Sequence, residues 1–225
     1  MLGPAVRLIL PVLAVLGVAG SGHSAAQGAG DCVVIDSFAK AKVGEFPSGW
    51  EVRKDAGKQV YVVREEGDRR FLHAHAKGLG IQAGKPHEWD LKTHPVLAWT
   101  WRPQEFPRGA DEQRGKNDSA LAVYMLVDHS RVRGPKAVKY IWSEKVPVGT
   151  RLDSNKGLTQ VRVLRTGADK PGQWVEERVN VRDDYLKYFD EKEVPKPSGI
   201  AVLTDSDDTG SSAQGDYANL RVCRE

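Results

Sequence analysis

Short apolar runs, each closed by Gly, Pro, Asp or Asn, recur along almost the whole chain, and this spacing restricts it to β structure. Cys32 to Ile35, Trp50 to Arg53, Val60 to Arg64, Arg70 to Ala76, Val96 to Arg102 and Ala120 to Val127 read as strands. Ala137 to Ser143, Leu158 to Leu164, Trp174 to Val181, Ile200 to Thr204 and Tyr217 to Cys223 continue the series. Glu66-Gly67-Asp68 is a hairpin signal between two of them, and Pro103 is expected to end the Val96 run. Many short strands with turns between them imply a sandwich or a barrel. Helical spacing occurs only at Asp183 to Glu191, through Tyr185, Leu186 and Phe189, with Asn180 or Asp183 as the cap.

Period two divides each strand into faces. Leu97, Trp99 and Trp101 share one face; Val96, Ala98, Thr100 and Arg102 share the other. Leu121, Val123, Met125 and Val127 lie opposite Ala122, Tyr124 and Leu126. A strand apolar on both faces is central, and its second face is covered or lines a cleft. Trp99 and Trp101 are therefore assigned to the core, and Arg102 and Tyr124 to a cleft. Residues 103–118 form a long loop rich in charge and Gly, of the kind that binds or covers a ligand.

The first residues carry the grammar of a cleavable leader. A short segment with Arg7 is followed by an apolar run, Leu8 to Val18, and then by Ser24-Ala25-Ala26 with small residues at the cleavage positions. The run is too short to span a bilayer, which needs about 20 residues. The expected organisation is residues 1–26 as signal peptide and residues 27–225 as one domain, periplasmic or secreted. Loss of Arg7 leaves 32 basic residues against 30 acidic ones, which excludes the strongly basic footprint of a nucleic-acid binder. Behind the leader no second long apolar stretch exists to enter a membrane. Cys32 and Cys223 lie near the two ends. In an oxidising compartment they are expected to form a disulfide, which requires the first and last strands to be neighbours; no C-x-x-C spacing points to redox chemistry.

The acidic run Asp205-Ser206-Asp207-Asp208-Thr209-Gly210 has two readings. Closely spaced carboxylates supply oxygen ligands for calcium, with Asp205, Asp207 and Asp208 as the ligands. The position that an EF-hand fills with Glu holds Asp216 here, and Asp and Gly equally serve local bonding in a solvated turn. His73 and His75, at i and i+2, fit an exposed strand face better than a zinc site, which needs a third ligand. Arg64-Glu65-Glu66 and Glu176-Glu177-Arg178 read as solvated strand faces. No G-x-S-x-G elbow, Walker loop or dinucleotide fingerprint occurs.

Several segments occur in a particular order. They are Trp99-Thr-Trp101-Arg102, Lys116-Asn-Asp118-Ser-Ala120 leading into Val123-Tyr124, Tyr140-Ile-Trp142, Asn180-Val-Arg-Asp-Asp184-Tyr185, and Gly199 through Thr204 to Gly210. Together they resemble the bacterial envelope family catalogued as a family of unknown function, number 3047, from about Phe38 to the C-terminus. The resemblance implies an exported, two-sheet antiparallel β-sandwich, jelly-roll-like, with one short helix. It implies similarity to jelly rolls that bind carbohydrate and no established activity. The family's acidic loop usually has Asn where this chain has Asp208.

The function expected from these readings is a non-catalytic binding domain for a saccharide or other cell-envelope ligand. Its cleft would gather Arg102, Lys116, Asp118, Tyr124, Trp142, Thr204, Asp205, Asp207 and Asp208. The rivals are a structural or assembly protein of the envelope and a glycan-active enzyme using paired carboxylates.

Overall fold

The computed structural model describes residues 31–167 and 172–225; the leader expected at residues 1–26 lies outside them. The chain forms β1 (Cys32–Asp36), β2 (Glu51–Val52), the one-turn α1 (Gly57–Val60), β3 (Tyr61–Glu66), β4 (Arg69–Lys77), β5 (Ala83–Pro86) and β6 (Val96–Glu105). β7 (Leu121–Ser130), β8 (Gly134–Ser143), β9 (Arg151–Ser154), β10 (Thr159–Thr166) and β11 (Val175–Asn180) follow. The helix α2 (Val181–Phe189), β12 (Pro197–Leu203) and β13 (Ser212–Cys223) complete it. None of the described helices is long and apolar enough to cross a membrane.

Two sheets face each other in a β-sandwich. A six-stranded sheet A runs β11-β6-β13-β4-β3, with β1 also paired to β13. A seven-stranded sheet B runs β2-β5-β12-β7-β8-β10-β9. The pairing is antiparallel except between β10 and β8, which run parallel because β9 takes the outer edge and β10 returns between them. β5 and β9, four residues each, were too short and polar to register as apolar runs.

The expected core is observed. Trp99 and Trp101 of β6 meet Tyr140 and Trp142 of β8 across the sandwich, at ring-centroid distances of 5.7 and 5.8 Å. Each such ring pair adds about 0.5–1.5 kcal/mol to what burial alone contributes. The β3–β4 hairpin turns at Gly67, whose φ of +57° suits the first central position of a two-residue loop.

Three local expectations are corrected. β6 runs on through Pro103 to Glu105, because the ladder to β13 shifts register between Gln214 and Gly215, opposite the proline. The helix starts two residues early, capped by the Asn180 side chain, which accepts from the Asp183 N–H at 3.0 Å. Glu177 is buried rather than solvated, accepting from Trp101 Nε1 at 3.1 Å and Arg165 Nε at 2.7 Å.

β1 lies beside β13 with Cys32 opposite Cys223, and the two form a disulfide. The bridge ties together the ends of the described fold.

Candidate functional site

Sheet B is apolar on both faces. Leu121, Val123 and Met125 of β7 pack into the sandwich, so Ala122, Tyr124 and Leu126 point outward. Lys139 and Ile141 of β8, Val161 and Val163 of β10, and Ala201 and Leu203 of β12 share that outer face. The registers set Ala201, Tyr124, Lys139 and Val161 in one row across four strands. Among the described residues, this outer cluster consists of residues of sheet B and one loop residue, Val146. Among the described residues no third sheet packs on it. The outer side of an antiparallel sheet is ordinarily polar; here it is a hydrophobic, largely buried floor bearing one tyrosine ring, with Lys139 Nζ 5.5 Å from the ring centroid.

Three loops close over the end of this floor where β12 finishes. Residues 204–211 join those of 106–120 through a zipper of bonds. Asp118 accepts from the Asp208 N–H at 3.1 Å, from the Thr209 N–H at 2.8 Å and from Thr209 Oγ1 at 2.6 Å. Asp208 in turn accepts from the Asn117 N–H at 2.9 Å, and Lys116 Nζ donates to the Asp208 carbonyl at 2.8 Å. The Ser206 N–H donates to the Leu79 carbonyl at 3.1 Å, which attaches the third loop. In that loop Gly80 sits so close that an added Cβ would lie 2.5 Å from Asp205 Oδ1. Glu112 is buried between Ser119 and Ser143, whose hydroxyls donate to its two oxygens at 3.1 and 2.7 Å.

Asp118, Asp205 and Asp207 bring carboxylate oxygens within 4.8 Å of one another. These are the residues that could hold a cation of calcium's kind. Asp208, expected in that set, is turned to Asn117 instead, and Asp118 already spends its oxygens on the neighbouring loop. Burial lifts the Asp205 carboxyl to about 7; Lys139 draws it down, and Asp207 and Asp118 push it up. Burial raises the Tyr124 phenol, while Lys139 and Gln82 pull it back. Burial would depress the Lys139 ammonium, but Tyr124 and Asp205 hold it above its ordinary value. The site thus pairs a fixed cation with an acid that keeps its proton close to neutrality.

A native carboxyl raised to about 7 binds its proton more tightly than in the unfolded chain, so the stability it supports is present at low pH and lost as pH rises through about 7. In EDTA, the melting temperature is expected to fall from about pH 6 to about pH 8, and Asp205→Asn to flatten that slope. Equal slopes in the two proteins would remove Asp205 as its cause.

The expected site residues separate into three groups. Asp118, Tyr124, Asp205 and Asp207 lie on or beside the outer face of sheet B, with Lys116 and Asp208 bracing the loops above. Thr204 is fully buried, donating to the Ala120 carbonyl at 2.9 Å and meeting the Tyr217 hydroxyl at 2.9 Å, so it braces the interior. Trp142 points between the sheets, its Nε1 donating to the Gly167 carbonyl at 2.9 Å.

Arg102 lies on the outer face of sheet A, across the sandwich from Tyr124, and the two do not share a cleft. Arg102 is bound into a network: its Nε donates to Asp216 at 2.8 Å, and its Nη1 to Glu66 at 2.8 Å. Its guanidinium lies 4.5 Å from the Trp174 ring centroid. His73, expected on an exposed face, is buried in the same network, with Nδ1 2.7 Å from Asp216.

Sequence reasoning missed Lys139 and Glu112. The signal for Lys139 was present: it is the single charge among Ala137, Ile141 and Ser143 on one face of a central strand. Glu112 lies in a charged loop and carried no such mark.

The family described as "Protein of unknown function (DUF3047)" matches residues 48–221. No curated protein matches the chain. Among solved structures, the chain is similar to the family 11 carbohydrate-binding module of the cellulosomal cellulase Lic26A-Cel5E of Clostridium thermocellum. Identity is 8%, the TM-score is 0.44, and the match covers 86% of this chain and 95% of that one. It is also similar to a thermostable cellulase derived from Cel12A of Rhodothermus marinus, at 12% identity and TM-score 0.40, covering 82% and 100%. A third match is endoglucanase 3 of Trichoderma harzianum, at 13% identity and TM-score 0.38, covering 81% and 94%.

Proposed function

The chain belongs to the DUF3047 family, whose description assigns no activity, and from the geometry of its own residues we propose that it is an exported binding domain that takes a saccharide on the outer face of sheet B. One observation supports this reading: a sandwich sheet whose outer face is apolar, is joined by no third sheet among the described residues, and carries Tyr124, Lys139 and Asp205, each with a small exposed part of 6–8%. Small-molecule sites combine apolar surface with a few convergent polar groups that fix orientation. A sugar presents the matching chemistry, C–H faces that lie on a floor and a ring, and hydroxyls that bond to an ammonium and a carboxyl. The Cys32–Cys223 disulfide supports placement in an oxidising compartment.

The test is calorimetric titration of the protein with a panel of neutral oligosaccharides. At least one is expected to bind, and Tyr124→Ala to weaken it about tenfold or more. Arg64→Ala, on the outer face of sheet A, is expected to leave binding unchanged. A panel without a binder, or binding indifferent to Tyr124→Ala, would end this reading.

A further inference from the structure

The opposite end of the sandwich carries a separate cavity of about 590 Å³, walled by the β5–β6 connection and by the segment from α2 to β12. β12 runs between the two regions, from Pro197 beside this cavity to Leu203 beside the acidic loops. Its seven residues separate them by about 20 Å. Four cations line the cavity: Lys92, Arg182, Lys192 and Lys196. Asp90 and Glu193 are the acidic residues of its wall, which leaves an excess of positive charge. Asp90 spends Oδ1 on the Lys92 N–H at 2.8 Å, a local turn bond. Among the described residues neither the Lys92 nor the Lys192 ammonium has a carboxylate partner. Lys196 pairs with Glu88, which stands outside the wall. Arg182 meets only its neighbour Asp183, at 3.3 Å and with both side chains well exposed, a pairing of little strength in water.

A second observation points the same way. Trp89 is part of the wall, is 6% exposed, and its indole Nε1–H has no hydrogen-bond partner. A buried donor without an acceptor costs about 1–3 kcal/mol, and an oxygen ligand is one way to supply the missing acceptor. Four cationic side chains and an unpaired indole N–H on the wall of one cavity, in a space of the size that holds small ligands, favour oxygen anions.

We infer that this cavity is a second ligand site, specific for an oxyanion: the carboxylate of an acidic sugar or a phosphate group. It is independent of the sheet B face, since the two share no residue.

The test titrates the full chain with digalacturonate, with neutral galactobiose and with inorganic phosphate. Digalacturonate is expected to bind, and to bind at least tenfold more weakly to Lys92→Glu/Lys192→Glu and in about 0.5 M salt, where charge is screened within a few ångströms. Galactobiose is expected not to compete for this site, and Tyr124→Ala to leave digalacturonate binding intact, which separates this result from the fate of the sheet B reading. Phosphate binding lost in the same double variant also supports the site and widens its class from uronates to oxyanions. Both lysines are exposed, and an unchanged melting temperature confirms that the variant is folded; Lys192→Gln serves if it is not. Failure of both anions to bind, or binding that survives the charge reversal, overturns the proposal.

Discussion

Removing the Cys32–Cys223 bridge, by reduction or as Cys32→Ala/Cys223→Ala, is expected to lower stability by about 5 kcal/mol. The two cysteines are 191 residues apart, and in the chain-entropy account the effect grows with the logarithm of the closed loop. A loss of this size approaches the whole stability of an ordinary domain, about 5–15 kcal/mol. The bridge also holds β1, which pairs with β13 alone. Its two valines, Val33 and Val34, are 47% and 57% exposed, and only Ile35 reaches the main core, so packing holds one end of the strand and the bridge the other. Equilibrium unfolding in urea with and without reductant measures the effect. Coincident midpoints would show that the ends are held without the bridge.

Asp216→Ala is expected to cost about 3–5 kcal/mol, the range for removing one partner of a buried ion pair. Asp216 is 1% exposed and accepts from Arg102 Nε at 2.8 Å, from Gln104 Nε2 at 2.9 Å and from His73 Nδ1 at 2.7 Å. Its loss leaves a guanidinium with an 11% exposed side chain and a buried imidazole without their shared acceptor. Burial alone would raise the Asp216 carboxyl, but the bonds from His73, Gln104 and Arg102 outweigh it and hold the group below the usual carboxylate range. A depressed carboxyl stabilises the fold above its unfolded value, about 3.9, and that contribution is lost as pH falls through the lower folded value. The substitution should therefore show most at neutral pH and fade in acid. Urea midpoints of both proteins at the two extremes test this, and a loss that does not depend on pH would show that packing rather than charge is responsible.

These two networks also separate what could be read from the chain and what could not. The hairpin at Gly67 was legible because its cause is local: two strand-like runs and a glycine able to take a positive φ between them. The burial of Trp99 and Trp101 was legible because both share a face with Leu97. The disulfide followed from two cysteines, one near each end, and an expected export signal. His73 was not legible because its burial depends on Asp216, which pairs with it from another strand and is itself held by Arg102 and Gln104. The charge run at Glu177 was misread for the same reason, since Trp101 Nε1 and Arg165 supply its partners.

Alternation along each strand determined, from the sequence alone, that Arg102 and Tyr124 each point away from a core-facing neighbour. The same reading extends to the all-β character, the face to which each large ring belongs and the acidic turn after β12. Only the tertiary structure decided that β6 and β7 belong to different sheets, so that two residues with the same local pattern lie on opposite surfaces of the molecule. It alone brought Asp118 to Asp205 and Asp207, set Lys139 beside Tyr124, and left one outer face apolar and the other polar. The physical reason is that side-chain direction follows from the dihedral repeat of neighbouring residues. Sheet membership and register follow from hydrogen-bonded pairing between segments far apart in the chain, which no short window of sequence contains.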